Sequence, residues 1–290
     1  MTSNTTMGEN IVQEDYMFSR GFRDSARLHI QHLLWNIRLG WLLHPSIPFP
    51  KTSQKEDAFS VADIGIGSAD WLLELSQKVS QNVRLHGFDI SKELFPAKEY
   101  LPSNMNLEIL DAFGPLPEHL KGKFDIVHIR AFTIVVKGGH PGILLENLIA
   151  MLKPGGYLQW DEMDSASFSA HSPNERTPKV NMELVIDIFQ EMCKKSDLAF
   201  EWISNLAEIC EQQGLKVVDS IRLPCNDIMR QMTTDNYLMG LEDLGYVVSE
   251  RALGERTAYR EAFNKAVLET REGVSISMDM VVVVCQLEKK

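Results

Sequence analysis

The stretch that most constrains this chain is Val61-Ala62-Asp63-Ile64-Gly65-Ile66-Gly67-Ser68-Ala69-Asp70-Trp71. An apolar, strand-like run enters a glycine-rich turn, and a helical pattern leaves it. Neither Gly65 nor Gly67 has a Cβ, so a backbone folded this way can approach a nucleotide-like ligand closely. The acid ahead of the first glycine narrows the ligand further. Asp63 sits badly beside a pyrophosphate and suits a ligand that carries positive charge.

Around that turn, strand-like and helical patterns alternate. Strands are expected at 59–64, 83–89, 105–110, 124–129 and 157–161, with helices at 69–79 and 140–152 and a helical turn near 92–99. Such alternation implies a parallel sheet covered by helices. Helices at 180–194 and 198–213, the second capped by Gly214, lead to a sixth strand at 215–223. A seventh at 277–287 contains Val281-Val282-Val283-Val284, a run suited to burial on both faces.

The N-terminal third opens differently. Phe22, Ala26, Ile30, Leu33, Ile37 and Trp41 recur at steps of three and four, marking one face of a helix over 16–43. Leu28, Trp35, Leu39 and Leu42 form a second apolar set off that stripe, as in a helix that is buried on two sides, covers a ligand or meets another chain. His44-Pro45 ends the pattern. The division expected is a loose tail at 1–15, a helical lid at 16–50, a core at 51–225 and 274–290, and a helical substrate cap at 226–273.

Composition excludes several classes. Hydrophobic content of 44% and charged content of 24% are those of a soluble globular protein. A net charge of −11 speaks against a nucleic-acid partner, which wants a basic face. Cys193, Cys210, Cys225 and Cys285 make no CxxC pair, so neither a zinc site nor a redox motif is indicated. With no signal-like N-terminus and no apolar run of about 18 residues, no membrane span is expected and the cytoplasm is the expected compartment.

Further acids stand at the strand ends. Asp89 lies 22 residues past Gly67, where a carboxylate can accept hydrogen bonds from both hydroxyls of a ribose. Asp111, after the third strand, can accept from an adenine amino group, with Phe113 as an apolar wall. A pyridine dinucleotide fits poorly, because the third small residue of its fingerprint is replaced by Asp70. S-adenosylmethionine, with an ammonium, a sulfonium and no phosphate, fits better.

Taken together, Asp63-x-Gly65-x-Gly67, the Asp89 strand end, Asp111-Ala112, Phe124-Asp125-x-Val127 and Leu152-Lys153-Pro154-Gly155-Gly156 resemble the class I S-adenosylmethionine-dependent methyltransferases. The order and spacing agree across 59–161. The run from Phe22-Arg23-Asp24-Ser25 to His44-Pro45, and Leu158-Gln159-Trp160-Asp161-Glu162, are similar to fungal methyltransferases that tailor secondary metabolites. The resemblance implies a Rossmann-like, doubly wound α/β sheet of seven strands, mostly parallel with the last antiparallel. It also implies roles. Asp63, Gly65 and Gly67 would hold the methionine part of the cofactor, Asp89 with Ile90 the ribose, and Asp111, Ala112 and Phe113 the adenine. The main chain near Arg130 would meet the ammonium end. One departure stands out: Ala69 replaces a glycine common in the family, and Asp70 follows it.

The expected reaction is methyl transfer, most readily to an oxygen of a hydrophobic small molecule. A phenol or alcohol acceptor wants a general base, and His128, His140 and Glu162 are the candidates. Tyr16, Phe22, Met232 and Tyr237 are candidate substrate walls, and an apolar lid face equally suits a homodimer. Asp161 and Glu162, two adjacent acids, do not by themselves make a metal site, and none is expected. Two other readings of the fold stay open: a non-methylating rearrangement or cyclisation, and a regulatory scaffold.

Overall fold

The computed structural model describes residues 18, 20–49, 59–251 and 256–289. Among the described residues, seven strands make one sheet: β1 (Ser60–Ile64), β2 (Arg84–Asp89), β3 (Met105–Ile109), β4 (Phe124–Arg130), β5 (Leu152–His171), β6 (Lys216–Leu223) and β7 (Ser275–Gln286). Their order is β3-β2-β1-β4-β5-β7-β6. The pairs from β3 across to β5 are parallel, and β7 runs antiparallel between β5 and β6. The chain winds outward from β1 to β3, then returns to β4 on the other side of β1. A crevice opens at the carboxyl ends of the strands where winding reverses.

Burial on both faces explains the apolar strands. Val61 joins one core layer while Ala62 and Ile64 join the other; Val282 and Val284 face the first layer, Val281 and Val283 the second. The helices that cover these faces are α2 (Asp70–Ser76), α3 (Gly142–Met151), α4 (Val180–Lys195), α5 (Glu201–Ser204) and α6 (Leu206–Gln212). Between β6 and β7 lie α7 (Arg230–Arg251) and α8 (Arg256–Thr270). No helix among the described residues is long and apolar enough to cross a membrane.

Several sequence expectations are corrected. The N-terminal helix, α1, spans Phe22–Leu39 and ends at Gly40 in the left-handed region at φ 76°, where glycine is unstrained. Its buried side is not the Phe22 stripe. Asp24, Arg27, His32, Leu34 and Trp35 face inward, while Phe22 is 89% exposed. The polar residues can be buried because they find partners. His32 Nε2 lies 2.8 Å from Glu74 Oε2 on α2, and the Arg27 guanidinium donates to Asp24 on the same helix at 3.2 Å.

The fifth strand is four times the expected length. It begins at Leu152, just ahead of Lys153-Pro154-Gly155-Gly156, and runs past Asp161 to His171. Asp161, Glu162, Asp164 and Ser165 are all buried, so polarity there disguises a strand interior as a loop. The helix expected at 198–213 is broken into α5 and α6 at Asn205, and the turn near 92–99 is a short 3₁₀ segment at Lys98–Tyr100.

Candidate active site

The glycine turn is held by the strand beside it. Gly65 and Ile66 donate their N–H groups to the Phe88 carbonyl at 2.7 and 3.1 Å, and Gly67 N–H donates to Asp89 Oδ2 at 2.9 Å. Gly65 has φ +70°, and a Cβ there would lie 2.7 Å from Phe132 Cζ, so both its backbone and its surroundings require glycine. Asp89 uses its other oxygen to accept from Ser91 N–H at 3.1 Å.

At the end of β3, Asp111 Oδ1 accepts from Phe113 N–H at 2.9 Å. The Asn147 amide of α3 fixes this turn by donating to the carbonyls of Ala112 and Gly114, each at 2.9 Å. At the end of β4, Arg130 lies with its guanidinium 5.0 Å from the Trp35 ring centroid and 3.2 Å from His32 Nδ1.

These turns enclose a cavity of about 250 Å³. Gly65, Gly67, Asp89 and Ile90 line one side of it, and Asp111, Ala112, Phe113 and Arg130 continue the same wall. The cavity then extends away from the strand ends into an apolar chamber under α1 and α7, walled by Phe18, Met163, Phe168, Phe189, Leu241 and Met278. Sequence reasoning missed these, since they come from separate segments with no shared motif. It also missed Thr133 and Ser165, whose hydroxyls lie 3.3 Å apart on the cavity wall.

The polar candidates sort sharply. Asp63 is 4% exposed and does not reach the cavity; it faces His128 instead, with Oδ1 2.7 Å from Nδ1. His128 is 1% exposed, and its Nε2 lies 3.3 Å from Asp161 Oδ2. Trp71 stacks flat against its ring at 3.9 Å between centroids. Burial disfavours a charge on His128, but the carboxylates of Asp63 and Asp161 outweigh it and raise its pKa. Closed in on every side, His128 cannot reach an acceptor in the cavity.

Glu162 is corrected for the same reason. It is fully buried, accepting from Phe132 N–H at 2.7 Å, Thr133 N–H at 3.2 Å and Trp160 Nε1–H at 2.9 Å. Burial pushes its carboxyl up to about 8, against the pull of these three donors. His140 is exposed, and neither it nor Glu162 lies on the cavity wall.

Of the substrate candidates, Tyr237 lines the chamber, with burial raising its phenol so that it stays protonated. Met232 is 42% exposed and, like Phe22, lies off the wall; Tyr16 falls outside the described residues. The departures at Ala69 and Asp70 also lie off the wall. Ala69 occupies the left-handed region at φ 63° with its side chain buried in the core. Asp70 accepts from Ser68 Oγ at 2.5 Å and faces His29 Nδ1 at 2.7 Å.

The family profile described as a methyltransferase domain matches residues 61–156. Methyltransferase grgD of a Penicillium species is 34% identical over 178 residues, covering 59% of this chain and 59% of that protein. N-methyltransferase tcpN of Claviceps purpurea is 33% identical over 145 residues, covering 50% of each. The chain thus spans 59% and 50% of the length of these curated relatives. The solved phosphoethanolamine N-methyltransferase 2 of Haemonchus contortus, in complex with S-adenosyl-L-methionine, superposes with a TM-score of 0.52 at 13% identity. That match covers 93% of this chain and 60% of the other, and it speaks for the fold. The segment that matches the methyltransferase-domain profile contains the glycine turn, Asp89 at the end of β2, Asp111 just past β3, and all of β4, and the sheet that carries it shares its fold with the Haemonchus enzyme.

Proposed function

We propose that this protein transfers a methyl group from S-adenosylmethionine to an apolar small molecule. The observation that carries this reading is the continuity of one cavity. Its crevice end presents Asp89 and Asp111, and its far end is an apolar chamber. In this reading Asp89 grips the ribose, Asp111 with Ala112 and Phe113 borders the adenine, and the turn at Gly65 and Gly67 admits the methionine part. When bound, the donor supplies an electrophilic methyl on a sulfonium and a neutral thioether as leaving group.

The chain's own task is then alignment and exclusion of water. Holding donor and acceptor in line is worth up to about 7–11 kcal/mol, and the chamber's apolar walls keep competing water out. None of His128, His140 and Glu162 lines the wall. None of these three is placed to take a proton from an oxygen acceptor. A neutral nitrogen brings its lone pair ready for attack, and the N-methyltransferase name of the Claviceps relative fits that alternative.

The test is incubation with isotopically labelled S-adenosylmethionine and a panel of apolar phenols and secondary amines, read by mass spectrometry. The expected result is a labelled methyl on at least one acceptor, with one S-adenosylhomocysteine formed per transfer. A donor that binds but returns an acceptor of unchanged mass would favour the non-methylating reading instead.

A further inference from the structure

The buried carboxyl of Glu162 has three donors and no route to the cavity, yet two of those donors belong to the cavity wall. Arg130, Ala131, Phe132 and Thr133 all line the cavity. After β4 the chain turns sharply through Ala131, at φ +60°, a left-handed conformation that costs a residue with a Cβ free energy. Something must hold that turn. Ala131 N–H donates to the Asp161 carbonyl at 3.0 Å, and the next two N–H groups, of Phe132 and Thr133, donate to the Glu162 carboxyl. Trp160 Nε1–H also donates to that carboxyl, at the oxygen that accepts from Phe132. Adjacent residues of β5 thus grip three successive N–H groups of the turn.

The sheet order adds direction. Along the strand ends, Asp111 follows β3, Asp89 ends β2, the glycine turn follows β1, and Arg130 ends β4. An adenosyl donor laid along this edge with its nucleoside at the two acids extends its amino-acid end past the glycines towards 130–133. We propose that Glu162 is a positioning residue for that amino-acid end: by binding the Phe132 and Thr133 N–H groups it fixes the main chain that forms this part of the wall. The inference rests on the donor reading given under Proposed function. The strong desolvation of the carboxyl agrees with a group buried for its hydrogen bonds rather than for proton exchange with a substrate.

Two ligands separate this role from a general structural one. S-adenosylhomocysteine has the amino-acid end; 5′-methylthioadenosine has the nucleoside and sulfur without it. Glu162→Gln places an amide N–H where an acceptor oxygen stood, facing N–H donors. In calorimetry it is expected to weaken S-adenosylhomocysteine by about tenfold or more while 5′-methylthioadenosine stays within about threefold. Equal losses for both ligands, or no loss for either, would overturn the proposal. Wild-type protein that binds neither ligand would sink the donor reading itself, a separate result. Should the variant not fold, amide exchange on the wild-type chain decides. Phe132 and Thr133 are expected to exchange as slowly as the sheet interior, although they lie in a turn; fast exchange at both would contradict the role.

Discussion

Replacing His128 with alanine is expected to destabilise the fold by about 3–5 kcal/mol, because it strands buried charge. The register of β1 with β4 sets Asp63 directly beside His128. Asp161 approaches the same ring from β5, and its Oδ1 has no hydrogen-bond partner. With both ring nitrogens protonated, the imidazolium donates to a carboxylate on each side, and the Trp71 face stacked on it favours the cation. Arg130 supplies a second positive charge to the same two acids. Remove the imidazolium, and two carboxylates less than 6% exposed share one remaining cation.

The pH dependence has a definite sign. The folded chain holds the His128 proton more tightly than the unfolded chain does. Its contribution to stability is therefore complete below about pH 6.5, the ordinary histidine value, and is lost as pH rises through the raised folded value. Urea unfolding of wild type and His128→Ala across pH 5–9 checks both points: the difference should be large in acid and shrink in base. A difference below about 1 kcal/mol throughout would mean that the acids find other partners.

Asp89→Ala is expected to weaken S-adenosylhomocysteine by about 100-fold, the loss of two charge-assisted hydrogen bonds at about 1.5–3 kcal/mol each, offset in part by water. The same carboxylate accepts from Gly67 and Ser91 N–H groups, so its removal also loosens the glycine turn. Asp89→Asn keeps the shape but turns one acceptor into a donor, and should recover only part of the affinity. Calorimetry on the three proteins gives the order wild type, asparagine, alanine.

How much of this was legible from sequence follows from how each part is built. The cofactor side is local: turns that follow β1, β2 and β3 sit at short spacings, and their residues line the cavity wherever the strands align. Asp63 is the exception. A carboxylate one step before a turn reads the same whether it faces a ligand or an interstrand partner, and only the register with His128 decides. The same blindness affects His128, near the end of β4, and Glu162, midway along β5: both are polar residues whose partners lie on neighbouring segments of the fold. The chamber was illegible for another reason. Phe18, Phe189 and Leu241 come from three distant segments, and their meeting depends on how α1, α4 and α7 pack. In α1 the apolar stripe pointed the wrong way, because Asp24, Arg27 and His32 find charged and polar partners inside the fold.

Whether the strand-end crevice receives a cationic adenosyl donor is tested most directly by titrating the 290-residue chain with S-adenosylmethionine and NAD in one calorimetric series. One equivalent of S-adenosylmethionine should bind at micromolar concentration, with no heat from NAD. Binding of NAD alone, or silence from both, would contradict it.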